Sequence, residues 1–234
     1  MRYIEKHAEP RSLTAYKQQP HAYYDGCNKE DIRKRLLEDQ GYLCAYCMRR
    51  IPEEITVEDD MKAEDGIVKK AQKMKIEHWL PESQCTEQQK LDFHNMLGVC
   101  MGNAGHPYRE TTCDAHRKDK ILTINPLDRD MVKKIRYNTH TGEILSDDTQ
   151  INDDLNNTLN LNYEGSDFSL PLNRRNALAV CLTKIQVQSR NKPGNWRRSL
   201  LQKMLKAYEN KDTNGKYIEY SGIVIWYLRK KLGS

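Results

Sequence analysis

Lys75-Ile76-Glu77-His78-Trp79-Leu80-Pro81 is the stretch that decides how this chain reads. Met74–Trp79 has the composition of a short strand, sets a carboxylate beside an imidazole, and runs into a proline that halts it. Pro81–Asp92 reads as a loop, and Met96–Cys100 as a second strand. The polar segment Asp114–Lys120 follows as a short helix. A strand–loop–strand–helix unit is thus available between residues 74 and 122, and the fold class expected is α+β.

Cysteines bracket this unit. Cys44-Ala45-Tyr46-Cys47 lies upstream, and two thiolates at i and i+3 in a tight knuckle take neighbouring corners of a zinc tetrahedron. Cys100 and Cys113 lie downstream as the second half-site. Twelve residues separate them, with two glycines, an Asn and a Pro, which reads as a loop inserted within the half-site. Two readings stay open beside this one: Cys100 and Cys113 as unrelated buried thiols, or His106 in place of one of them. Cys27, Cys85 and Cys181 have no partner at metal-binding spacing and read as core or free thiols.

An acid next to a histidine suits hydrolysis of a phosphodiester. The imidazole can take a proton from water, and the carboxylate can hold a hard divalent cation such as Mg²⁺ or Mn²⁺. Adjacent residues of a strand point to opposite faces, so Glu77 and His78 can serve one site only at a bent strand end, which Pro81 favours. Asn95 is placed to brace the intervening loop through backbone hydrogen bonds.

The chain has 234 residues, 30% of them charged and 38% apolar, enough for one or two domains with a modest core. No stretch approaches the ~20 apolar residues of a membrane span, and Met-Arg-Tyr-Ile-Glu-Lys-His is no signal-peptide opening, so a cytoplasmic location with no membrane partner is expected. In a reducing compartment the seven cysteines are metal ligands or thiols before they are disulfides. The net charge of +5 is unevenly spread: residues 173–234 carry fourteen Lys/Arg against three Asp/Glu, and residues 1–172 carry 24 against 30. The basic half suggests a polyanion, with Arg174, Arg175, Arg197 and Arg198 (and Arg190 and Lys192) as candidate phosphate contacts and Trp196 as a stacking face. A solvated helical face packed on the acidic half is the plainer alternative.

Along the chain, Asn28 caps a helix to about Gln40 that Gly41 ends. Residues 58–73 are charged and weakly periodic, as in an insertion or mobile loop. Lys134–Tyr137 and Glu143–Leu145 flank a hairpin turn, and residues 146–162 hold a short helix. Helical spacing returns at Leu178, Cys181/Leu182 and Ile185, then at Trp196, Leu200, Met204 and Tyr208, with a break at Pro193-Gly194-Asn195. Gly222–Lys231 closes the chain as an apolar stretch with a basic tip.

Ile76-Glu77-His78-Trp79-Leu80-Pro81, Asn95-Met96-Leu97 and Cys113-Asp114 together resemble the three segments of HNH (ββα-metal) nucleases. Cys44-Ala45-Tyr46-Cys47, Ile124-Asn125-Pro126-Leu127 and Leu172-Asn173-Arg174-Arg175 extend the likeness to the HNH subunit of Septu antiphage systems, the retron-associated versions most of all. The resemblance implies a ββα-metal core with structural zinc on Cys44, Cys47, Cys100 and Cys113. It makes His78 the general base, Glu77 a ligand of the catalytic ion, and Asn95 the residue that positions the loop. Asp114, preferred over His116, completes that ion's ligands. It further implies a nucleic-acid substrate, a separate ABC-type ATPase, and possible control by a reverse transcriptase with its retron DNA or RNA. The sequence has no Gly-rich phosphate loop ending in Lys-Ser/Thr, so the ATPase is another chain. Four segments follow: a helical lead-in (1–43), a zinc-bound nuclease core (44–130), a hairpin and linker (131–172) and a basic helical region (173–234). The competing reading is a catalytically inactive zinc-stabilised module that binds nucleic acid or bridges protein partners.

Overall fold

The computed structural model of the chain describes residues 1–53, 56–62, 68–165, 168–189 and 196–233, which form a mixed α+β fold. Helix α1 (Arg11–Lys17) precedes α2 (Lys29–Gln40). The Asn28 side chain starts α2 by accepting from the Glu30 and Asp31 amides, and Gly41 ends it at φ 56°, a conformation that costs glycine no Cβ clash. Strands β1 (Thr56–Lys62) and β2 (Val68–Gln72) pair antiparallel, so the segment expected to be an insertion or loop is largely a hairpin; residues 63–67 lie outside the described residues.

Strand β3 (Met74–His78) pairs antiparallel with β4 (Met96–Cys100), from Met74 opposite Cys100 to His78 opposite Met96. Between them, α3 (Glu87–Lys90) opens on a reciprocal cap of Thr86 and Gln89. The short helix α4 (Cys113–Arg117) packs against β4. Helix α5 (Arg129–Lys133) leads into the hairpin of β5 (Ile135–Tyr137) and β6 (Ile144–Ser146). After it, α6 (Thr149–Asp153) runs on into a π turn over Asp154–Thr158. Three longer helices finish the chain: α7 (Leu170–Ser189), α8 (Arg198–Glu209) and α9 (Ser221–Leu232). The expected break at Pro193-Gly194-Asn195 lies outside the described residues, as do Arg190 and Lys192. No helix among the described residues is long and apolar enough to cross a membrane.

One hydrophobic core draws on all four sequence segments. Leu37, the four cysteines 44, 47, 100 and 113, Ile144, Leu155, Cys181, Ile223 and Leu228 belong to it. Each fully buried Leu or Ile contributes about 1.5–3 kcal/mol, and the helical end of the chain supplies many of them. The Tyr220 amide donates to Met48 O at 3.2 Å, and Arg50 donates to the Tyr217 carbonyl, so the last helix is tied to the first cysteine knuckle. A second, smaller cluster joins Leu13, Tyr24, Cys27, Ile32 and Leu36 to Leu91, Phe93 and Met96. Trp196 is half-buried, packs against the main core and donates to Gln186.

Candidate metal centre and active site

Cys44, Cys47, Cys100 and Cys113 meet in the core, their sulfurs all within 4.8 Å of one another. Three of the separations are 3.9 Å (Cys44–Cys113), 3.7 Å (Cys47–Cys100) and 3.9 Å (Cys100–Cys113). A zinc tetrahedron with Zn–S near 2.3 Å has edges of about 3.8 Å. The cluster therefore has the dimensions to hold a metal ion such as zinc. Burial opposes ionisation of Cys44, yet thiol hydrogen bonds from Cys100, Cys113 and Cys47 outweigh it and hold its pKa well below the usual thiol range. The contact with Cys100 pushes Cys47 and Cys113 well above that range. One thiolate among thiols is what such packing allows by itself, and a divalent cation is what lets the rest ionise. Burial disfavours the Arg49 cation as well, but Cys47 and Cys100 more than offset this, so the cluster has a positive neighbour.

Local structure explains how sequence-distant cysteines converge. Met48 N donates to Cys44 O, Cys44 N donates to Arg49 O, and Met48 takes φ 65°, which closes the first knuckle. The twelve-residue excursion after Cys100 is shut at its base, where Thr112 N donates to Gly102 O at 2.9 Å. Gly102 sits at φ 57°, and a Cβ there would stand 2.1 Å from Thr112 O. The insertion is thus a closed loop hung on the half-site. Cys113 itself takes φ 55°, costing about 1–2 kcal/mol for a non-glycine residue, where its sulfur must join the cluster. His106 stands apart: it is largely exposed and 3.7 Å from Glu110.

Glu77 and His78 leave the end of β3 in different directions. The Glu77 carboxylate is buried, and its Oε1 accepts from Arg117 Nη1 and from Tyr46 OH at 3.2 Å. Burial raises its pKa to about 8, the negative neighbour Asp114 adds to the rise, and Arg117 only partly offsets it. Asp114 lies close enough to Glu77 for its negative charge to be felt there. Asp114 in turn takes the Lys75 ammonium at 2.8 Å. Arg117 pairs with Glu77, and Lys75 with Asp114. Glu77 is therefore not the free ligand the sequence reading expects, because the chain's own guanidinium occupies it. His116 is committed as well. Its Nδ1 lies 3.2 Å from Thr111 Oγ1 and 3.1 Å from Tyr108 O, and its ring stacks on Tyr108 at 4.2 Å. Of the candidate ligands on α4, Asp114 is the one beside Glu77. With Glu77 paired to Arg117 and Asp114 to Lys75, neither carboxylate is free as arranged for the catalytic ion expected from sequence.

His78 is 3% exposed. Its Nε2 lies 2.8 Å from Lys90 O. A carbonyl only accepts, so Nε2 carries the hydrogen and Nδ1 of the neutral ring is left with its lone pair. That Nδ1 has no hydrogen-bond partner; Glu82 Oε1 is 3.2 Å away without the alignment of a hydrogen bond. Asn95 fixes the turn after His78: its Oδ1 accepts from Leu80 N at 2.7 Å, its Nδ2 donates to Leu80 O at 3.2 Å, and its carbonyl accepts from Trp79 N.

Arg117 is the residue the sequence reading missed. It is 1% exposed, and beyond Glu77 and Tyr46 it donates to His78 O at 2.9 Å, Trp79 O at 2.6 Å and Lys120 O at 2.8 Å. Helix α4, the cysteine knuckle and the end of β3 are joined through this one guanidinium. Arg117→Ala leaves a buried carboxyl and three carbonyls without their donor and is expected to lower unfolding free energy by about 3–5 kcal/mol, read by urea denaturation. Arg117→Lys should recover only part of it, because an ammonium lacks the planar fork. A midpoint unchanged in Arg117→Ala would show that the hub contributes nothing.

Among the candidate polyanion contacts, Arg175, Arg197 and Arg198 are exposed. Arg174 is not: it is buried and donates to Gly142 O at 2.6 Å, Leu161 O at 2.9 Å and Asn162 Oδ1 at 2.7 Å. Its charge clamps the β5–β6 turn to α7, which corrects its expected role as a phosphate contact. No family model, curated protein or solved structure matches the chain.

Proposed function

We propose that this chain is an endonuclease of the HNH kind, hydrolysing phosphodiester bonds in nucleic acid from a zinc-held hairpin and helix. The observation that carries this reading is the state of His78. Its hydrogen is fixed on Nε2 by Lys90 O, and its Nδ1 lone pair is uncommitted at the end of a strand whose next turn Asn95 pins. An imidazole held this way is placed to take a proton from water attacking phosphorus. Once Nδ1 holds that proton, the Glu82 carboxylate 3.2 Å away stabilises the imidazolium by its charge. Arg117 and Asn95 keep the backbone of residues 78–80 in place while this happens.

A divalent ion, where such enzymes bind one, neutralises charge on the leaving oxygen; as arranged, Arg117 occupies Glu77. Zinc on the four cysteines is the structural ion of the proposal, supported by their spacing. The resemblance to Septu HNH subunits adds the rest: a role in antiphage defence beside an ABC-type ATPase, with a reverse transcriptase and its DNA in retron-linked versions. The exposed Arg175, Arg197 and Arg198 offer a basic surface for nucleic acid or for those partners.

A second reading is favoured by a specific observation. Glu77 buried on Arg117 suits a zinc-stabilised module that binds nucleic acid or bridges partners without cutting. Incubating the purified protein with labelled DNA and total RNA, with Mg²⁺, Mn²⁺ or a chelator, separates the two. Internal cleavage dependent on the added ion supports the nuclease. Salt-sensitive binding without cleavage supports the binding module.

A further inference from the structure

A base that acts on a phosphodiester must reach solvent, yet His78 is 3% exposed. What covers it comes from a distant part of the chain. The Tyr24 ring lies edge-on to the imidazole, centroids 4.6 Å apart at 81°. Tyr24 belongs to a short 3₁₀ turn, Tyr24–Gly26, on the connector between α1 and α2. That connector is lightly attached. Between residues 18 and 28 only Tyr24 and Cys27 are buried. Its backbone bonds are local: Gln19 N to Tyr16 O, Gly26 N to Tyr23 O, and Cys27 N to Tyr24 O. Lys29 Nζ stands 4.2 Å over the Tyr24 ring. Both buried side chains enter the smaller hydrophobic cluster, apart from the core that holds the cysteines.

We propose that Tyr24 is a cover over His78, and that the site works only when the Tyr24–Gly26 turn swings away. The proposal rests on the reading of His78 as the base. It places restraint of the activity within the chain itself, whereas the sequence points only to partners for it. Withdrawing Tyr24 uncovers the imidazole and takes the ring out of the cluster it shares with Phe93 and Met96. The backbone bonds of the turn are local, as suits a segment that moves in gating.

Carbethoxylation of histidines by diethyl pyrocarbonate, mapped by peptide mass spectrometry, tests this without any substrate. In the parent, the exposed His94 and His106 should react while His78 lags. In Tyr24→Ala, His78 should react faster by about tenfold or more, and in Tyr24→Phe it should stay protected because the ring remains. Protection retained in a folded, zinc-loaded Tyr24→Ala protein overturns the cover, as does a parent His78 that reacts as fast as His94. Should Tyr24→Ala not fold, hydrogen exchange in the parent decides. Gly26 and Cys27 amides exchanging well ahead of the β3–β4 amides support the cover, and exchange as slow as theirs overturns it. A Tyr24→Ala protein with reactive His78 but no hydrolysis of any nucleic acid leaves the cover standing and removes the nuclease reading.

Discussion

A Cys44→Ser chain is expected to lose its fold, and the parent to lose it on strong chelation. The sulfurs of the four cysteines stand at separations that match the edges of a zinc tetrahedron, inside the core that also holds Leu97, Ile144, Cys181 and Val224. Structural zinc contributes about 10–16 kcal/mol to the folding of zinc-finger peptides, comparable to or above the ~5–15 kcal/mol that keeps a typical domain folded. Removing one thiolate also leaves three packed thiols that resist ionising together. The loss should therefore not stay local: α9 is tied to the first knuckle through Tyr220 and Met48, and α4 begins at Cys113. Elemental analysis should give one zinc per parent chain, with a cooperative melt by circular dichroism that the chelated and Cys44→Ser proteins lack. Cys85→Ser, outside the cluster, should keep both zinc and melt. A folded parent without zinc, or a Cys44→Ser protein as stable as the parent, would end the structural-zinc proposal.

Much of this arrangement was legible because it is local. Asn28 and Gly41 bound α2 by capping chemistry, and the two short strand-like runs Met74–His78 and Met96–Cys100 pair in a hairpin. The Cys44/Cys47 spacing carries its meaning by itself. What could not be read depends on where side chains go in three dimensions. The gap between Cys100 and Cys113 looks too long until the Gly102–Thr112 bond closes it. Glu77 and His78 obey the strand's alternation, so the acid meets Arg117 and Tyr46 while the imidazole meets Tyr24 and Lys90. Arg117 had a signal of a kind, a basic residue in the last turn of a helix that follows a metal ligand, but composition cannot tell a buried hub from a solvated charge. Arg174 misled for the same reason: a basic pair invites a phosphate contact, and burial takes one of its members away.

His78→Ala should reduce cleavage by about 10²–10⁴-fold, the usual worth of a general base, while zinc content stays at the parental value. His78→Gln sharpens the test. Its amide can still donate to Lys90 O and fill much of the buried space, but it cannot take a proton, so the same loss is expected with less disturbance of packing. Glu77→Gln divides the remaining possibilities. The amide oxygen can accept from Arg117 and Tyr46 as the carboxylate does. If Glu77 is a brace, this change costs far less activity than His78→Gln. If Glu77 must hold a divalent ion, the two variants fall together and raised Mg²⁺ restores part of the Glu77→Gln loss. Asp114→Asn then reports on the neighbouring carboxyl, beside Lys75. Retention of parental cleavage by both His78 variants would take the imidazole out of the chemistry, leaving a zinc-held module that grips nucleic acid or a partner through its basic surface.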